Sequence, residues 1–234
     1  AFLIFKACLK NINDETLKAA IWSLKYYYQY FDKLTDFYSQ AITDCIDGEN
    51  RRNILIFICH AWLNENQYAK ELLDKALAQW NIEAAKTIIE VAFANLSNPN
   101  YTDKCIDQLS NFINNNNKII IEAYSLGFLR NENIDLLLLL PFLKQYICSP
   151  CFDPREDYFY DYLFCQSKQY PENVLEIMNS INFEIDMFDE IKYGQNEKLI
   201  KVILGALNSL RRNKRQYNLI ATDILDSVLR SSRN

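Results

Sequence analysis

The sequence predicts an all-α fold, and three observations carry that prediction. Ala69, Leu73, Ala76 and Leu77 fall on one stripe of a helix with 3.6 residues per turn. Cys105, Leu109, Phe112 and Ile113 repeat the spacing, Ala221, Leu225, Val228 and Leu229 repeat it again, and Val174, Met178 and Ile181 match all but the last position. Second, only four Gly and five Pro punctuate 234 residues, too few for the tight turns of an all-β chain. Third, each stripe follows another apolar helical pattern, so the unit is a helix pair.

Taken in order, Asn13-Asp14-Glu15 supplies an N-cap and acidic first turn for a helix carrying Leu17, Ala20, Ile21, Leu24 and Tyr28 and ending near Phe31. Its partner, 34–46, is expected to be closed by Asp47-Gly48. The second pair, 51–63 and 67–80, turns at Asn64-Glu65-Asn66. Ile54 to Cys59 is apolar on every side, but His60-Ala61-Trp62-Leu63 continues it without a turn signal, so it reads as helix and not as strand. The third pair is 82–96 and 102–114, with Thr102 or Asp103 as the cap. The fourth is 118–129 and 132–147, where Pro141 is expected to kink or restart the helix and Leu136 to Leu140 to be its most buried part. The fifth is 157–167 and 171–181, with Pro171 in the first helical turn. The stretch 183–194 alternates apolar and acidic residues and reads as a short helix or an ordered insertion before the last pair, 196–211 and 217–229.

Six pairs recur at a period of about 35 to 45 residues, which is how helical solenoids repeat: one hairpin cannot cover its own apolar face and must stack on the next. In period and stripe the chain resembles HEAT or armadillo-like repeats over most of its length. The resemblance implies a right-handed α-solenoid of about six helical hairpins over residues 1–234, one helical-repeat domain with a concave binding face. In general shape it also resembles the helical-repeat regions of large bacterial multidomain proteins, including signalling NTPases that sense a ligand through them. The polar tail after Leu229, and an opening Ala1 to Lys10 that no small-residue cleavage site follows, are read as the C-terminal part of a longer protein.

Composition narrows the function. Half the residues are hydrophobic while 24% are charged, the balance of a folded chain that keeps a polar surface. The net charge of −5 argues against general nucleic-acid binding. Ile134 to Phe142, a long apolar run, contains Asp135 and Pro141 and falls short of the roughly 20 residues that span a bilayer, so no membrane partner is expected. Seven Cys scattered through helical patterns act as small apolar residues and suggest a reducing, cytoplasmic setting.

Chemistry is sparse. Gly48, Gly127, Gly194 and Gly205 stand too far apart for a phosphate-binding loop, and there is no Gly-x-Ser-x-Gly or His-Glu-x-x-His, so neither catalysis nor a cofactor is expected. Cys148-Ser149-Pro150-Cys151 has metal or redox spacing and Cys165 follows, but a second such pair is missing and His60 is remote, so no metal site is assigned. His60 lies in an apolar helix with no nucleophile identified beside it. Tyr158, Tyr160 and Tyr162 cannot all face one core from a single helix, which makes them candidates for a partner-binding surface, with core packing as the plainer account. Arg211, Arg212, Lys214 and Arg215 are candidates for phosphate contact, with a helix-end and loop role as the plainer account. The expected function is therefore non-catalytic binding of a protein or of another part of the same chain, as scaffold or sensor. The alternative is a nucleic-acid-binding repeat, which requires Arg51 and Arg52 to join the basic turn on one face.

Overall fold

The computed structural model describes residues 23–24, 28–131, 134–153, 157–181, 193–210 and 214–231. The expected first helix before Tyr28 and most of the 183–194 stretch lie outside them. Among the described residues there are eleven α-helices and no strand. The chain divides into two compact units, Ala1–Ala92 and Phe93–Asn234.

In the first unit a 3-10 helix, Tyr28–Lys33, leads into α1 (Thr35–Asp44), α2 (Gly48–Leu63), α3 (Ala69–Trp80) and the start of α4 (Ile82–Asn95). Here α1 packs on both α2 and α3, and α2 packs on α3. The stripe residues Ala69, Leu73 and Ala76 are buried, as their spacing predicts. Ile54 to Cys59 is helical, with Ile54, Leu55, Ile58 and Cys59 in the core. Asp47-Gly48 does not close α1. The Asp47 carboxylate accepts from the Asn50 backbone N–H at 2.9 Å, so Asp47 caps the N-terminus of α2 and Gly48 is its first residue. The end of α2 is a Schellman motif: the N–H groups of Glu65 and Asn66 donate to the carbonyls of Trp62 and Ala61, and Glu65 adopts φ 63°.

Charged side chains tie this unit together. Arg51 donates to Cys45 O at 2.9 Å and to Glu83 at 3.0 Å and stacks over Trp80. Arg52 pairs with Glu90 at 3.0 Å, and Lys75 on α3 donates to Ser39 O on α1 at 2.7 Å.

The second unit contains α5 (Thr102–Phe112), α6 (Lys118–Arg130), α7 (Leu136–Tyr146), α8 (Asp157–Gln166), α9 (Pro171–Ser180), α10 (Tyr193–Ser209) and α11 (Lys214–Ser231). Its helices pack in two rows, α6 on α8 on α10 and α5 on α7 on α9 on α11, and α9 also touches α8 and α10. Contact between every second helix is what stacked hairpins produce.

Two local expectations are corrected here, the Thr102 cap and the uniform burial of Leu136 to Leu140. Thr102 is not a side-chain cap: its hydroxyl donates backwards to Leu96 O and Asn98 O, both at 3.0 Å, and fastens the loop before α5. Asn117 and Asp135 do the capping, accepting from the N–H groups of Ile119 and Leu137 at 2.9 and 2.8 Å. α7 runs through Pro141 to Tyr146, and Leu136 to Leu140 is not uniformly buried. Leu136 and Leu139 face the core, whereas Leu137 and Leu138 are exposed, because a helix turns successive residues by about 100° and five in a row cannot share one face.

The core of this unit is aromatic. Phe128 on α6 lies 5.3 to 5.6 Å, ring to ring, from Phe93, Tyr146, Phe159 and Tyr162. Gly127 is what lets α6 approach: a Cβ there would run into the Phe93 ring. The ring hydroxyls have acceptors, Tyr124 donating to Leu109 O and Tyr162 to Ile134 O.

Candidate interaction surfaces

Of the three candidate contact tyrosines, Tyr158 is half-buried, but Tyr160 and Tyr162 are 2% and 0% exposed. For the latter two the plainer account, core packing, is what the structure shows, and they are not contact-surface residues. The reason is the two-row packing: α8 has α6 and α10 on its flanks and α9 behind, so several of its sides face neighbours at once. Burial pushes both phenols well above their ordinary range, and the nearby Asp153 and Asp135 add to it.

In the basic turn, Arg211 and Arg212 lie outside the described residues, as does the side chain of Lys214, while Arg215 is exposed on the first turn of α11. Arg51 and Arg52 are engaged by Glu83 and Glu90 inside the first unit. His60 is half-buried, and burial lowers its pKa. Cys148 and Cys165 are exposed and Cys151 is buried. No group of three or more metal-ligating side chains converges among the described residues, and no described helix is long and apolar enough to cross a membrane.

Two surface features stand out. The first unit has a cleft of about 420 Å³ lined by Gln29, Asp32, Asn64, Glu65, Asn66 and Gln67 over the buried Phe31 and Ala61. Asn66 donates to Asp32 across it, and none of the described residues that line it is basic.

The second feature lies on α8 and α10. Phe164 on α8 and Leu204 on α10 are 41% and 49% exposed, and the Phe164 ring lies 3.3 Å from the position a Cβ would take on Gly205, the residue after Leu204. Lys198 on α10 bridges to Asp161 at 2.7 Å and Asp157 at 3.5 Å on α8, so the two helices are pinned to each other. Burial opposes the Lys198 charge, but the two carboxylates outweigh it and raise its pKa.

The sequence reading missed this pair, although a signal was there. Leu204 stands five residues after the buried Leu199, and Phe164 five after the buried Phe159, so each is turned about 140° from the core stripe of its helix. Comparison of the chain with protein-family models, curated proteins and solved structures finds no match.

Proposed function

We propose that this chain is a non-catalytic helical-repeat module, a right-handed α-solenoid that binds a protein partner or another part of its own longer chain, as scaffold or ligand sensor in the cytoplasm. The observation that carries the reading is the exposure of Phe164 and Leu204 on the neighbouring helices α8 and α10. Lys198 ties those two helices together, so little backbone entropy remains to be lost when a partner covers them. The alternate-helix packing of the second unit supports the repeat architecture. The engagement of Arg51 and Arg52 by carboxylates leaves the nucleic-acid alternative with Arg215 as its one exposed described candidate in the basic turn.

The test is affinity capture with the tagged 234-residue chain, with and without nuclease and at low and high salt. The reading expects a protein retained after nuclease and at high salt. Recovery of nucleic acid alone, lost steeply as salt rises, contradicts it.

A further inference from the structure

The cysteine pair between α7 and α8 is not used by the proposed binding surface. Cys151 has no exposed area, and its Sγ lies 2.7 Å from Asn115 O and 3.3 Å from Phe112 O, while its backbone N–H reaches Ile113 O at 3.3 Å. Phe112 ends α5, and the last carbonyls of a helix lack intrahelical donors. One residue therefore latches the α7–α8 turn onto the end of α5 through both its side chain and its backbone. Phe152 holds the turn from the other side, its ring edge-on to Tyr146 and Phe159 at 5.5 and 5.1 Å. Cys148, three residues earlier, is exposed.

Only a protonated thiol can donate to those carbonyls. A disulfide sulfur has no hydrogen and would set its lone pairs against two carbonyl oxygens, so the side-chain half of the latch exists in the reduced state alone. Burial pushes the Cys151 thiol up to about 11, which keeps it protonated and unreactive in place.

We propose that Cys148 and Cys151 form a redox-sensitive latch: a low-molecular-weight disulfide converts them to an intramolecular disulfide and releases the α7–α8 turn from the end of α5. The exposed Cys148 thiolate attacks the reagent, breaking its S–S bond and releasing one thiol. When the turn opens, Cys151 leaves its carbonyls, loses its proton and attacks the Cys148 sulfur, releasing the second thiol. The two protein thiols together give up two protons and two electrons, and the reagent takes up both and departs as two thiols.

The experiment treats the 234-residue chain with glutathione disulfide, alkylates the remaining thiols, and reads peptide masses together with hydrogen exchange at the backbone N–H of residue 151, the latch's backbone donor. The expected result is a Cys148–Cys151 disulfide and exchange at the Cys151 N–H faster by about tenfold, the effect of losing its one buried hydrogen bond to Ile113 O. Cys151→Ser retains an O–H donor and cannot form the disulfide, so its exchange stays slow in the oxidant. Three results overturn the proposal: no reaction, arrest at a glutathione adduct on Cys148 with Cys151 still a thiol, or a disulfide that leaves exchange at the Cys151 N–H unchanged.

Discussion

The two units are held by different means. In the first, aliphatic side chains such as Ile42, Ile54, Ile58 and Ala76 fill the interior, and Arg51, Arg52 and Lys75 reach between helices to fixed acceptors. In the second, rings fill the interior around Phe128, and the phenol hydroxyls of Tyr124 and Tyr162 reach carbonyls at the ends of neighbouring elements. The difference explains where the aromatic residues of the sequence went. Rings bury large areas and gain further from edge-on contacts, so an interior built between two rows of helices draws in tyrosines that a one-sided helix would have left outside.

Substitutions can break this comparison, and the largest effect is expected at its centre. Phe128→Ala removes a ring that touches four others and should lower stability by about 3 to 5 kcal/mol, read by urea or thermal unfolding followed by circular dichroism. A loss under about 1 kcal/mol would mean that the rings do not form one cluster.

Next come the glycines. Gly127→Ala forces a methyl group into Phe93 and should cost about 1 to 3 kcal/mol, whereas Gly48 in the first unit has open space around it, and Gly48→Ala should be neutral or stabilising by up to about 1 kcal/mol. Equal effects at the two sites would contradict the close approach of α6 to Phe93.

Charge effects in the first unit are expected to be smaller. Arg51→Ala removes a carbonyl contact and a Trp80 contact as well as an ion pair and should cost about 1 to 2 kcal/mol, against less than about 1 kcal/mol for the more exposed Arg52→Ala.

The smallest effect is expected at His60. Its folded pKa is lowered by burial, so the unfolded chain takes up the proton first. Stability from this group is complete above the ordinary histidine value of 6.5 and falls as pH drops below it. His60→Gln should flatten the stability profile between pH 5 and 7 relative to the parent chain.

Much of the fold was legible in residue spacing. The stripes at Ala69, Cys105 and Val174 face the core because helical periodicity places them on one side, and the turn at Asn64 to Asn66 and the start of α9 at Pro171 follow from local chemistry. Cap identity was less legible, since Asp47 and Thr102 each satisfy a different backbone group from the one their position suggests. The surface was least legible. Whether Tyr160 is buried depends on how many helices surround α8, which is a property of tertiary packing, whereas the exposure of Leu204 was readable from its offset to the core stripe.

The most direct test of the account is a binding comparison between the parent chain and Leu204→Glu, using the protein partner retained in the capture experiment. Leu204 is half exposed, so the substitution should leave unfolding unchanged within about 0.5 kcal/mol while weakening binding at least about tenfold. Unchanged affinity in a variant that folds like the parent would contradict the claim that α8 and α10 present the contact surface.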